Sequence, residues 1–204
     1  MSTSNYDKKG CLISILIIFV FFSFVLYKCS QDPFFKTYDK KDLTENYDQH
    51  EKEIADLIIY FKSIIPSGTY VDIEINDTKN IDIFHVWKDG INYGGWDIDV
   101  NSSKADTIFS ILKWDKSQIR ILKNKLDQIN CISIDNGYPV NIGFQRSVMS
   151  KFYYTVFNEP IAKNDSLMKR YDTKCIYIYY RDNVVLQYGS GATGSLCFPK
   201  RFLE

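Results

Sequence analysis

The feature that most restricts this chain is the run Cys11–Tyr27, CLISILIIFVFFSFVLY, in which only two serines and a cysteine interrupt the large apolar side chains. An uncharged segment of this kind offers water no polar face, so as a helix it must be buried in a large protein or in lipid. Only a short polar tail precedes it, too little to wrap it in a core. At ~1.5 Å per residue a helix here spans about 25 Å, slightly less than a hydrocarbon layer of ~30 Å. Tyr27 and Lys28 can make up the difference at the interface. The expectation is a tail over 1–10 and a single transmembrane anchor over 11–28.

A cleaved signal peptide has ~7–15 apolar residues and then small residues at the cut. Val25-Leu26-Tyr27-Lys28 has no such pattern. Acylation of Cys29 after cleavage is the other reading: Leu26 suits it, Tyr27 and Lys28 do not. For direction, Lys8 and Lys9 favour a cytoplasmic tail, whereas Lys28, Lys36, Lys40 and Lys41 favour the reverse. Long domains cross membranes largely regardless of charge. The domain is therefore expected on the extracytoplasmic side of the cell membrane.

Residues 29–41, polar and interrupted by Pro33, read as a linker, and 42–204 as one globular domain. Formal charge is zero, the tail (Asp7, Lys8, Lys9) contributing +1 and the rest −1. No basic tract of the kind nucleic-acid binding requires is visible, so no nucleic-acid partner is expected. The 15 Tyr and 14 Phe suit the core and pleated surfaces of a sheet.

The hydrophobic period then changes along the domain. Asp42 and Glu45 have capping-box spacing, and Leu43, Tyr47, His50, Ile54, Leu57, Ile58, Phe61, Ile64 and Ile65 trace one helical stripe up to Pro66-Ser67-Gly68. In Tyr70–Asn76, Val71, Ile73 and Ile75 alternate with Asp72, Glu74 and Asn76, the pattern of a half-buried strand with a solvated polar face. Ile81–Trp87 and Ile91–Val100 follow around an Asp89-Gly90 turn, the latter bent at Gly94-Gly95. Two short helices come next: Ser103 or Asp106 caps the first, and Asp115 the second, which buries Ile119, Leu122, Leu126 and Ile129. Cys131–Ile134 and Val140–Gln145 flank the hairpin signal Asn136-Gly137. Phe152–Phe157 is a further strand, Asn158–Thr173 a loop or short helix, and Cys175–Tyr180 and Val184–Tyr188 a closing hairpin. The fold class is α+β, an antiparallel sheet with about three helices behind the anchor.

Chemistry-bearing residues are sparse. Gly189–Gly194, GSGATG, matches G-x-G-x-x-G, but too few residues follow for a βαβ unit, so it reads as a glycine-rich loop or sheet edge. His50 falls on a helix stripe and His85 in a strand. A Cys197–His85 nucleophilic pair has no local support. Asp97 and Asp99 share a strand face, the arrangement of a carboxylate pair or simply of a solvated surface. Cys131, Cys175 and Cys197 fit no zinc spacing and allow either one disulfide with one thiol or three buried thiols. Asn76, Asn101 and Asn164 head glycosylation sequons. No residue is assigned to catalysis, to a cofactor or to a metal. The expected function is a membrane-anchored, non-enzymatic interaction domain of open specificity, with a protein as one candidate partner. A structural subunit of an envelope complex and a Cys- or carboxylate-based enzyme stay open, as does the oligomeric state.

Overall fold

The computed structural model describes residues 17–18, 20–23, 38–147, 150–161, 164–190, 197–199 and 202. The chain divides into two units, 1–37 and 38–204. In the first, the described residues 17–18 and 20–23 are helical, and Ile17, Ile18, Val20, Phe21 and Phe22 are exposed. Among the described residues no helix is long and apolar enough to cross a membrane. Most of the expected anchor, with Lys8, Lys9, Lys28 and Cys29, lies outside them.

The second unit is α+β. Its first helix, α1 (Lys40–Ile64), starts one turn before the position that spacing suggests. Asp39, not Asp42, is the N-cap: its carboxylate accepts from Asp42 N at 3.0 Å, and the Asp42 carboxylate accepts from Asp39 N at 2.7 Å. Asp39–Asp42 and Asp42–Glu45 have equal spacing, so the choice falls to packing. Tyr38, just ahead of the cap, is buried with its ring 5.2 Å from Phe144 and 6.0 Å from Phe152. Together with buried Leu43 it holds the helix entry in the manner of a hydrophobic staple. Tyr38 and Asp39, assigned by sequence to the linker, thus belong to the fold. The stripe itself is as expected, with Leu43, Tyr47, Ile54, Leu57 and Phe61 buried. His50 interrupts it with non-helical angles (φ −124°, ψ 19°) that kink the helix.

Nine strands form one sheet: β1 (Thr69–Glu74), β2 (Asn80–Lys88), β3 (Ile91–Asn92), β4 (Gly95–Asp99), β5 (Ser133–Asp135), β6 (Val140–Ser147), β7 (Ser150–Val156), β8 (Tyr177–Arg181) and β9 (Val184–Ser190). The order is β3-β2-β1-β5-β6-β7-β9-β8 with β4 also on β2, every pair antiparallel. The expected third strand is split in two at Gly94. A Cβ there would lie 1.8 Å from Phe84 O, so only glycine lets the chain pass this close to β2.

The remaining helices are α2 (Ser103–Leu112), α3 (Lys116–Gln128) and α4 (Asp165–Tyr171). Ser102, rather than Ser103 or Asp106, caps α2, while Asp115 caps α3 as expected. The Asn136-Gly137 signal marks a real β5–β6 hairpin, although its loop also takes in a cis Tyr138–Pro139 bond. The Asn136 side chain leaves the turn to pair with β1, accepting from Val71 N and donating to Thr69 O.

The two faces differ in chemistry. Phe84, Ile73, Ile134, Ile142, Tyr154, Leu186 and Ile178 stand side by side across seven strands, all buried. This face meets the helices: Tyr154 Oη donates to Leu43 O and accepts from Asn46 Nδ2, and Trp114 Nε1 donates to Ile64 O. On the opposite face the matching row reads Trp96, Ile83, Glu74, Ser133, Gly143, Tyr153, Gln187, Tyr177. Its β8–β9 end lies under α4, where Phe157, Ile161, Tyr171 and Val185 make a small second core.

Cys175 and Cys197 form a disulfide, and Phe198 and Phe202 stack on Phe152, closing one end of the main core. Cys131 is a buried free thiol, which burial pushes well above its usual pKa.

Candidate functional site

The part of the second face spanned by β1, β2, β4, β6, β7 and β9 holds a cleft of about 250 Å³ lined by Asp72, Ile83, His85, Trp96, Arg146, Lys151, Tyr153 and Gly189. Strand alternation puts Asp72, Glu74, His85, Lys151 and Tyr153 on this face, but it does not account for Arg146. Between Gly143 and Arg146 strand β6 carries one residue more than its partner β7, so Arg146 pairs with Lys151. The bulge turns Arg146 from the helix-covered side onto the open side.

There it meets a carboxylate that the sequence pattern assigns to solvent. Glu74 is fully buried. Arg146 Nε and Nη2 donate to its two oxygens at 2.5 and 2.8 Å, and Lys151 Nζ donates to Oε2 at 2.9 Å. Lys151 Nζ also donates to Ser133 Oγ at 2.9 Å and stands 4.6 Å from the Tyr153 ring centroid. Burial alone would push the Glu74 carboxyl up; the Arg146 hydrogen bonds and the adjacent Lys151 outweigh it and hold the group below its ordinary value. Burial opposes the charge on Lys151, yet Tyr153 and Glu74 raise its pKa overall. Gly143 makes the arrangement possible, since a Cβ there would sit 2.1 Å from Ser133 Oγ and 3.2 Å from Lys151 Cδ.

Two more acids flank this cluster. Asp135 accepts from Gly137 N, Asn141 N and Asn141 Nδ2. Asp72, opposite both His85 and Asp135 in the sheet, accepts no hydrogen bond from the described residues. Burial raises both carboxyls above the usual aspartate value; hydrogen bonds from Asn141 partly offset this at Asp135, and the charge of Lys151 at Asp72. His85, Trp96 and Tyr153 are the aromatic part of the lining, and Trp87 and Tyr70 adjoin it. His85 lies 4.9 Å from Trp87 and 6.1 Å from Trp96, and Tyr70 lies 5.4 Å from Trp87. Trp96 at the mouth is 67% exposed.

One ring nitrogen of His85 is held by its neighbours. Gly94 N donates to Asn92 Oδ1 at 2.9 Å, which fixes the amide and points Nδ2 at His85 Nδ1, 3.0 Å away. With the amide so placed, Asn92 Nδ2 is the donor facing His85 Nδ1.

Of the residues singled out by sequence, only His85 and Gly189 line the cleft. Gly189 must be small because a Cβ would come within 2.9 Å of the Tyr153 ring; 191–194 of the glycine-rich run lie outside the described residues. The Cys197–His85 pair is ruled out, because the Cys197 sulfur is bonded to Cys175. His50 sits on α1. Asp97 is exposed with φ 50°, and Asp99 Oδ1 is taken by Asn101 N and Nδ2. Among the described residues no group of three or more His, Cys, Asp or Glu is placed to hold a metal ion. Asn76, Asn101 and Asn164 are all exposed. Glu74, Arg146, Lys151 and Asp72 were not legible as site residues; a charged residue in each of several central strands was the available signal.

No family model matches this chain, and no curated protein or solved structure matches it either.

Proposed function

We propose that this chain is a membrane-tethered, non-enzymatic binding module whose open sheet face receives a protein partner on the oxidising side of the bilayer. The observation that carries the reading is the pairing, in one cleft, of a 67% exposed Trp96 with an Asp72 carboxylate that accepts no hydrogen bond among the described residues. Folding by itself favours covering a large apolar ring and supplying donors to a half-buried carboxylate. Local choices that work against stability concentrate where a protein does its work. The tether rests on the apolar run Cys11–Tyr27. The Cys175–Cys197 disulfide supports the side, since such bonds persist outside reducing compartments.

The test places a photo-cross-linking residue in the full chain at Trp96, or at the exposed Ile59 of α1, in living cells. A discrete cross-linked species from position 96 and none from 59 is the expected result. Equal yields, or none from either, would sink the reading. Sidedness is read from a cysteine placed at Asp89 in the β2–β3 turn, which a membrane-impermeant maleimide should label in intact cells. Labelling only after lysis would put the domain inside.

A further inference from the structure

We infer that the cleft recognises a basic side chain of the partner, the ammonium of a lysine or the guanidinium of an arginine, seated between Asp72 and the aromatic walls. This deepens the reading of the open face as a binding surface and rests on it.

The charges around the cleft do not balance. Around the cleft stand three carboxylates, Asp72, Glu74 and Asp135, against two cations, Arg146 and Lys151. His85 Nδ1 is occupied by Asn92 Nδ2 at 3.0 Å. Both cations are committed. Arg146 grips the two oxygens of Glu74, and Lys151 is shared among Glu74, Ser133 and the face of Tyr153. Asp135 receives three hydrogen bonds from its own hairpin. That leaves Asp72, which lines the cleft, as the acid whose charge no donor among the described residues meets. The surplus is negative, and it is located.

The walls select the kind of cation. A small hydrated metal ion needs several oxygen ligands, and the described residues offer no such group. Trp96, His85 and Tyr153 instead line the cleft with aromatic rings, and Trp87 and Tyr70 continue the row beyond it, from His85 across β2 to β1. Indole and phenol faces attract organic cations, most strongly where water is partly excluded. A carboxylate beside such a row supplies the directed hydrogen bond that the π faces cannot. The volume, about 250 Å³, accepts the end of one long side chain rather than a folded segment. Burial, partly offset by Lys151, already raises the Asp72 carboxyl, with Asp135, His85 and Glu74 as its other charged or titratable neighbours. An arriving cation relieves that cost, so binding and ionisation of Asp72 reinforce each other.

The experiment uses the full chain in a zwitterionic detergent, following Trp fluorescence during titration with N-acetyl-arginine amide or N-acetyl-lysine amide. N-acetyl-citrulline amide, the neutral isostere of the arginine probe, and N-acetyl-glutamate amide are the comparisons. Saturable binding of at least one cation, at least tenfold tighter than citrulline, is the expected result. Asp72→Asn should weaken it about tenfold or more while thermal stability holds or rises, which a merely structural residue would not do. Trp96→Ala should weaken it as well. Citrulline binding as well as arginine, a preference for the glutamate probe, or no saturation with either cation up to roughly 50 mM, the weak end for so small a ligand, would each overturn the inference. Face-specific cross-linking at position 96 combined with any of these outcomes removes the basic-side-chain inference and leaves the binding face standing. Loss of the cross-link removes both.

Discussion

Glu74 and Arg146 stand 72 positions apart and meet as a two-pronged ion pair, Nε to Oε1 at 2.5 Å and Nη2 to Oε2 at 2.8 Å, on the otherwise open face of the sheet. The contact depends on two backbone facts. β1 and β6 are held on either side of the short β5, and the bulge in β6 swings Arg146 across the sheet. Lys151 completes the group from β7. The cluster ties four central strands together through side chains where no helix among the described residues covers them.

Removing the shared carboxylate should therefore be costly. Glu74→Gln keeps the shape but leaves Lys151, 6% exposed, without its counter-charge. Breaking one partner of a buried pair costs about 3–5 kcal/mol. Urea unfolding at neutral pH should show a loss of that order. A change under about 1 kcal/mol, as for an exposed pair, would show that the cluster contributes little.

The same group sets an acid signature. The folded-state pKa of Glu74 is depressed, so its stabilisation is present above the ordinary glutamate value and is lost as pH falls through the folded value. Asp72 and Asp135 are raised, so their ionised forms cost stability, which returns as they protonate. Urea midpoints should thus stay level or rise as pH drops towards the carboxylate range, then fall below it. In Glu74→Gln the final fall should shrink.

At the alkaline end, burial first and then the nearby Glu51 raise Tyr47 from 10.0 to about 12. A raised value means its contribution is present below 10.0 and is lost as pH rises through about 12. Tyr47→Phe should flatten the decline in the unfolding midpoint between those limits. An unchanged slope would assign the decline to other groups with raised pKa, Tyr180 and Lys151 among them.

Glycine positions should separate by what surrounds them. At Gly94 an added Cβ meets backbone, Phe84 O at 1.8 Å, whereas at Gly95 it meets the flexible end of Lys104 at 2.6 Å. Gly94→Ala should cost at least the ~1–3 kcal/mol typical of overpacking and loosen β3 from β2. Gly95→Ala should stay near neutral. Amide hydrogen exchange at Tyr93, whose N–H donates to Val86 O, reports the difference.

Opening the disulfide tests the C-terminal closure. Cys175 and Cys197 are 22 residues apart, a loop for which cross-linking stabilises by about 3 kcal/mol in the chain-entropy picture. The Cys175→Ser/Cys197→Ser chain should lose about that much in urea unfolding. Reductant should lower the midpoint of the parent protein and leave that of the double variant unchanged.

Much of this protein was determined by the sequence alone, because local physics suffices for it. Helical and two-residue periods located α1, α3 and most strands, Asp115 marked its own cap, and Asn136-Gly137 marked its hairpin. Each depends on neighbours a few positions away. Where two local answers were equal, as for Asp39 and Asp42, burial of the Tyr38 ring decided. The tertiary structure alone settled that Cys197 pairs with Cys175, that Glu74 is buried rather than solvated, and that Arg146 changes sides. Strand alternation states that two residues share a face, but not whether that face meets water. That depends on which cations distant strands bring over it. A one-residue bulge reverses every side chain beyond it, and nothing in the local composition of Gly143–Arg146 announces it. The apolar run Cys11–Tyr27 still constrains the chain most strongly from sequence, through its lack of any polar face, whereas the chemistry of the domain lies in contacts between residues more than 70 positions apart.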